Sequence, residues 1–301
     1  MASLPRIAAD GSVSYVDERG LTASSYVPTT FTETDGDVVE VQPGVPLPSY
    51  EWYMEVRRGN IPNWSIVQKF GGMYDVAGTY TPLTTSGVHQ TPQVAGAVAL
   101  RVKAGNVNDD VAPATGAQEV TLQGLDQNGA RATETIATNG TSASTTTTTT
   151  WLRLYRLWVS KSGSYASGAT ASHAAAIVIE SGAAAEWASI DATGIPKGQS
   201  QIAMYATAAD ETAYLTSFAL TTDALKPVDF VLFKRENILE TAAPYSAKRT
   251  VIELFGIEGH YERTLRTALG PFPPLTDIGW MGQGASTPDV TVDFEMLIHR
   301  A

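Results

Sequence analysis

The 301-residue chain contains no cysteine. That absence removes thiolate nucleophiles, thiolate zinc sites and disulfide frameworks, and a chain of this length can bury a core large enough to fold without them. Histidine is scarce: His89, His173, His260 and His299 are widely spaced and form no H-x-x-x-H pair, so no metal site is expected. Charged residues make up only 17% of the chain, and the net charge of −11 is spread along it. An acidic surface repels phosphate, which argues against nucleic acid as a partner. No apolar run approaches the ~20 residues that cross a bilayer, and the opening MASLPRIAADGSVSYVDERG lacks the charged-then-apolar pattern of a secretion signal. A soluble protein with no membrane partner is expected.

The motifs that announce common chemistries are missing too. There is no G-x-S-x-G elbow, no G-x-x-x-x-G-K-[ST] loop, no G-x-G-x-x-G turn and no H-E-x-x-H helix. Two acidic clusters, Glu33/Asp35/Asp37 and Asn106/Asn108/Asp109/Asp110, offer oxygens a calcium ion could use, but neither completes a calcium loop, and turn formation by Asx side chains accounts for both. His260, between Glu258 and Tyr261, has no nucleophile at a recognisable spacing. Carboxylate pairs for glycoside hydrolysis are defined by separation in space, which spacing along the chain does not supply. No catalytic, cofactor-binding or metal-binding residue is expected, and no enzyme.

What is present is threonine, alanine, glycine and serine in abundance, a balance suited to pleated strands and tight turns. Residues 1–48, closing on Val41-Gln-Pro-Gly-Val-Pro-Leu-Pro48, read as an extended N-terminal arm. Aromatic spacing predicts a short helix over 50–58. Strand signals follow at 95–103, 118–125 and 131–138, the last two joined by a hairpin at Asn128-Gly129. The threonine run 145–150 leads into Trp151–Val159, whose apolar residues also fall at helical spacing; the β-branched lead-in favours strand. After loops around 162–175 and 183–185, clean alternation returns in five sets. These are 202/204/206; Tyr214/Thr216/Phe218/Leu220; 228/230/232; Val251/Glu253/Phe255; and 290/292/294/296/298. Ala208–Thr212 reads as a hairpin loop and Gly259–Gly284, with Pro271, Pro273 and Pro274, as a crossover. The expectation is an all-β fold, an antiparallel β-sandwich with jelly-roll-like connections over 49–301, divisible near 186.

Several stretches resemble, in order, a family of uncharacterised virion proteins from environmental, especially aquatic, tailed bacteriophages. They are EVRRGNIPNWSIVQKFG, NDDVAPATGAQEVTLQGLDQNG, TTTTTTWLRLYRLWV, GIPKGQSQIAMY and the closing VTVDFEMLI, together spanning roughly residues 50–301. Gly71-Gly-Met-Tyr-Asp75 and GHYERTLRTALGPFPP depart from that pattern. The resemblance implies an all-β structural component of the particle and brings no catalytic residue with it. Within that context a compact sandwich with an arm suits surface attachment, so the expectation is a capsid-decorating or head-associated assembly role in the virion, after synthesis in the bacterial host cytoplasm, as a homo-oligomer. Major capsid protein or neck and tail proteins would be its partners. The alternatives are a neck or tail component, or an adsorption module in which Tyr214, Trp280 or Trp187 stacks on host glycan.

Overall fold

The computed structural model describes residues 49–84, 91, 92, 94, 96–164, 172–192, 198–223 and 225–301 and, nearer the N terminus, four three-residue strands. The chain divides into two units, Met1–Ile61 and Pro62–Ala301. In the first, β1 (Pro5–Ile7) pairs with β2 (Val13–Tyr15) and β3 (Thr30–Thr32) with β4 (Val38–Glu40). The remainder of the expected arm, with Glu33, Asp35 and Asp37, lies outside the described residues. Helix α1 (Ser49–Arg58) forms where the aromatic spacing places it. Gly59, at φ 81°, ends it, and the Gly59 and Asn60 N–H groups donate back to the Val56 and Glu55 carbonyls at 3.1 and 2.9 Å.

The second unit is almost wholly antiparallel strand. Its elements begin with β5 (Trp64–Met73), β6 (Thr81–Pro82), β7 (Val98–Ala104), β8 (Ala117–Asp126) and β9 (Arg131–Ala137). They continue with β10 (Thr150–Ser162), β11 (Ile177–Ser181), β12 (Glu186–Ile190), β13 (Met204–Ala206) and β14 (Glu211–Thr222). The last five are β15 (Val228–Arg235), β16 (Arg249–Ile257), β17 (His260–Phe272), β18 (Asp277–Gln283) and β19 (Val290–Arg300).

Eight of these strands form two sheets, β5-β19-β14-β17 and β13-β18-β15-β16. Counted along the chain from β5 and then β13 to β19, the first sheet runs first, eighth, third, sixth, and the second runs second, seventh, fourth, fifth. The chain changes sheet at nearly every connection, which is the jelly-roll arrangement expected from the sequence. Phe218, Leu220, Phe230, Leu232, Trp280, Val292, Phe294 and Met296 fill one apolar core.

Between β6 and β13 the chain leaves the jelly roll and builds a six-stranded sheet, β12-β11-β7-β10-β8-β9. Departure and return lie side by side. Thr84 bridges Ile202, and Ala203 N–H donates to the Leu83 carbonyl at 3.0 Å. β6 and β13 both run along β18, at Met281–Gly282 and at Asp277–Gly279. The second jelly-roll strand is therefore split, with the extra sheet spliced into its middle. Because the two ends of the insertion are neighbours, the host closes no longer loop by carrying it. Gly71 of β5 passes so close to the return point that a Cβ there would lie 2.1 Å from the Ala203 nitrogen. The spliced sheet has its own core, in which Trp151, Leu157, Ile179 and Ile190 pack with Met204 and Phe233 of the jelly roll.

Local chemistry explains most elements. Asp126 Oδ1 accepts the Asn128 and Ala130 N–H groups at 2.8 and 2.9 Å, and Gly129 at φ 74° completes the β8–β9 hairpin. Residues 151–159 are strand, not helix. Of the threonines before them, Thr150 pairs with Ala99 of β7 and the preceding three are tied down: Thr148 and Thr149 N–H donate to the Glu134 carboxylate at 2.8 and 2.9 Å, and Thr147 Oγ1 accepts from Leu100 N at 2.9 Å.

Three expectations are corrected. Ala208–Thr212 is not a hairpin loop, since β13 and β14 belong to opposite sheets. Buried Glu211 accepts the Ala208 N–H at 3.1 Å and the Tyr205 hydroxyl at 2.8 Å, which turns the chain across the sandwich. Gly259–Gly284 is not a bare crossover but holds β17 and β18, with Pro273 and Pro274 in the short link between them. Two of the alternation sets also change face along their length. Thr216 is an extra residue between Leu215 and Ser217, so Phe218 and Leu220 point inward but Tyr214 points outward. A register shift in β16 turns Ile252 and Leu254 to the core and leaves Phe255 66% exposed.

Candidate functional site

A cluster of buried polar groups lies where the spliced sheet meets the jelly roll. Arg153 of β10 forks onto Asp277 of β18, Nε to Oδ1 at 3.0 Å and Nη2 to Oδ2 at 2.9 Å, with both side chains buried. Beside it, Arg131 of β9 donates to the Tyr205 hydroxyl at 2.6 Å and pairs with Glu211, which Arg300 also approaches at 3.4 Å. Burial, reinforced by the negative Glu211, pushes the Tyr205 phenol well above its ordinary pKa. Burial likewise raises Tyr155, whose ring stacks 5.2 Å from that of Tyr205, to about 12. Both phenols stay protonated at neutral pH, and the Tyr205 hydroxyl serves as a fixed donor to Glu211.

Lys69 of β5 completes the cluster. It is buried, donates to the Tyr155 carbonyl and sits 5.5 Å from the centre of the Tyr155 ring. Burial, with Arg156 nearby, lowers its pKa to about 7. The groups of this cluster spend their hydrogen-bonding capacity on one another and on the backbone. That arrangement orients two sheets.

The residues singled out in the sequence fall elsewhere. Trp280 is fully buried against Phe218, 4.9 Å between ring centres, and Trp187 is buried in the core of the spliced sheet. Neither can meet a sugar. Tyr214 is half-buried on the outer sheet face, 6.1 Å from Trp64, which in turn lies 4.7 Å from His299. Asp109 is fully buried: Oδ1 accepts the Ala117 and Ala174 N–H groups at 2.9 and 2.7 Å, and Oδ2 that of Ala175 at 2.9 Å. Its carboxylate is thus a backbone clasp, and Asn106 Oδ1 makes an Asx turn with Asn108 N at 2.9 Å. His260 is exposed, 3.8 Å from Glu262. His173 is buried, Nδ1 near Ser172 Oγ at 2.9 Å and Nε2 near the Asp191 carbonyl at 2.6 Å. His89 lies outside the described residues. Among the described residues no three His, Asp or Glu side chains gather as metal ligands, and no helix is long and apolar enough to cross a membrane.

Sequence reasoning missed Lys69, Arg153, Glu211 and Asp277. Their partners across the joint lie far along the chain, 124 residues apart for Arg153 and Asp277, and no spacing rule links them.

No family model and no curated protein matches the chain. Solved structures that align with it include two from infectious bursal disease virus. One is the structure of the infectious bursal disease virus Gt strain, at 9% identity over 80% of this chain and 79% of that one, with a TM-score of 0.19. The other is the infectious bursal disease virus VP2 subviral particle, at 11% identity over 82% and 76%, also with a TM-score of 0.19. A TM-score at that level carries no statement about fold or function.

Proposed function

We propose that the chain is a non-enzymatic structural protein of a bacteriophage virion, acting as a capsid-decorating or head-associated assembly module. The observation that carries this reading is the jelly roll with a second sheet locked onto it by buried polar pairs. Double-sheet jelly rolls recur as capsid and lectin domains, and function on such a fold is set by its surfaces. Here the buried charges of the joint serve orientation, which suits a rigid block that must present the same faces in every copy. The particle context of this reading rests on the resemblance of the ordered stretches to tailed-phage virion proteins. Repetition on a symmetric shell turns modest contacts per copy into firm attachment.

The test is the location and copy number of the chain in purified particles, by electron cryomicroscopy with quantitative mass spectrometry of separated heads and tails. High copy number on heads is expected. Low copy number at the vertex or tail would shift the role to neck or tail, and absence from particles would overturn it.

A second reading, glycan binding by an adsorption module, is favoured by the outward Trp64, His299 and Tyr214 group. Glycan-array binding that disappears in Tyr214→Ala would support it, and an array without signal would remove it.

A further inference from the structure

We propose that the outer edge of β17 is a self-pairing surface. Two copies of this chain join there edge to edge and antiparallel, about a two-fold axis through Thr264, and merge two four-stranded sheets into one of eight.

β17 is 13 residues long and hydrogen-bonds to β14 on one side. Among the described residues no strand pairs with its other side. Residues 265–268 are not paired with β14 either, because the register jumps from Ser217↔Thr264 to Leu215↔Leu269. Backbone groups on a long open edge are a template for another strand. Proteins that stay monomeric protect such edges with charged side chains, lysine above all, with bulges, with mid-strand proline or by keeping them short. β17 carries no lysine and Pro271 lies at its end; its charges, Glu262, Arg263 and Arg266, are of both signs, so they can pair as well as repel.

The charge order selects the partner. Glu262 stands two residues before Thr264 and Arg266 two after. In an isologous antiparallel pair centred on residue 264, position 262 of one copy faces position 266 of the other, and the symmetry repeats the contact. Two Glu–Arg pairs therefore close on the same sheet face. Centring the pair on Arg263 or on Arg266 would instead place an arginine opposite its own copy, so the charges disfavour those registers. Glu262 is exposed, with His260 at 3.8 Å, and Arg266 has no ion-pair partner among the described residues. A second copy of this chain supplies both the missing strand and the missing charges. The pairing stands on the fold and the charge order and does not depend on the virion reading.

The lack of cysteine makes a direct test available. In the proposed dimer the two copies of residue 264 lie across the axis with Cα atoms about 4.5–5.5 Å apart, within disulfide reach. Under mild oxidation Thr264→Cys is expected to give a disulfide-linked dimer, and Thr291→Cys, exposed on β19 of the same sheet, is not. By light scattering the wild-type chain is expected to be a dimer. Arg266→Glu and Glu262→Arg should each weaken it about tenfold or more, through like charges facing each other twice. The double swap Glu262→Arg/Arg266→Glu should restore it. Both side chains are exposed, so circular dichroism of the single variants should match wild type, as should melting at dilutions where all are monomeric. A wild-type chain that stays monomeric, a dimer indifferent to both reversals, or equal cross-linking through Thr291→Cys would overturn the proposal.

Discussion

Inside the jelly roll, Phe218, Phe230, Trp280 and Phe294 meet in one apolar core, and inside the spliced sheet Trp151, Leu157, Ile179 and Ile190 do the same. Where the two bodies meet, apolar contacts are joined by Arg153–Asp277, Arg131–Glu211–Tyr205 and Lys69 on the Tyr155 carbonyl. The cores tolerate many arrangements of similar volume, since apolar burial is not directional. A forked Arg–Asp pair is directional, and it admits one angle between the sheets. The comparison teaches that the interiors supply stability and the joint supplies orientation.

The strongest way to break the joint is Arg153→Leu. It leaves Asp277 buried without its counter-charge, and a loss of about 3–5 kcal/mol is expected by urea denaturation. Converting both partners, Arg153→Leu/Asp277→Leu, should recover much of the loss while relaxing the angle between the sheets, visible as a change in small-angle scattering. Asp109→Ala strikes the spliced sheet away from the joint. Three backbone N–H groups lose their acceptor, so a loss of about 3 kcal/mol is expected, with new proteolytic cleavage near 105–116 and 172–176 and none in β13–β19.

Lys69→Met acts in the opposite direction. The folded pKa of Lys69, about 7, lies below its ordinary 10.5, so between those values the unfolded chain holds a proton that the folded chain has released. Wild-type stability contributed by this group therefore rises from pH 7 towards 10.5 and is lowest below 7, where a charge is buried. Lys69→Met should stabilise by about 1–4 kcal/mol below pH 7, the cost of burying the charge less that of leaving the Tyr155 carbonyl unpaired, and the gain should shrink as pH rises. A gain that grows with pH would contradict the burial of the amine. The smallest effect is expected from Phe255→Ser on the exposed β16 surface, within about 0.5 kcal/mol of wild type by thermal melting.

Legibility in the sequence followed the range of the physics involved. The β8–β9 hairpin was readable because Asp126, Asn128 and Gly129 act within five residues. β19 was readable because a central strand keeps strict alternation from Val290 to Ile298. β17 was hidden because its core-facing residues Tyr261, Leu265 and Leu269 fall four apart rather than alternating, and β18 because it is buried on both faces. In β14 and β16, bulges changed the phase partway, so Tyr214 and Phe255 were placed on the wrong face. Of the polar joint nothing was readable, since its charges converge only after two sheets have docked.

By itself the sequence determined the class of the fold, the β8–β9 turn, the helix at 50–58 and the alternating core strands. Each depends on neighbouring residues and on which side chains leave water. Only the tertiary structure decided that the second jelly-roll strand is split at Thr84 and Ile202, that Trp187 and Trp280 are core, and that Lys69 loses its charge near neutrality. Those outcomes depend on which distant surfaces pack together, and the free energy of burying an amine or an indole is defined only once its surroundings exist.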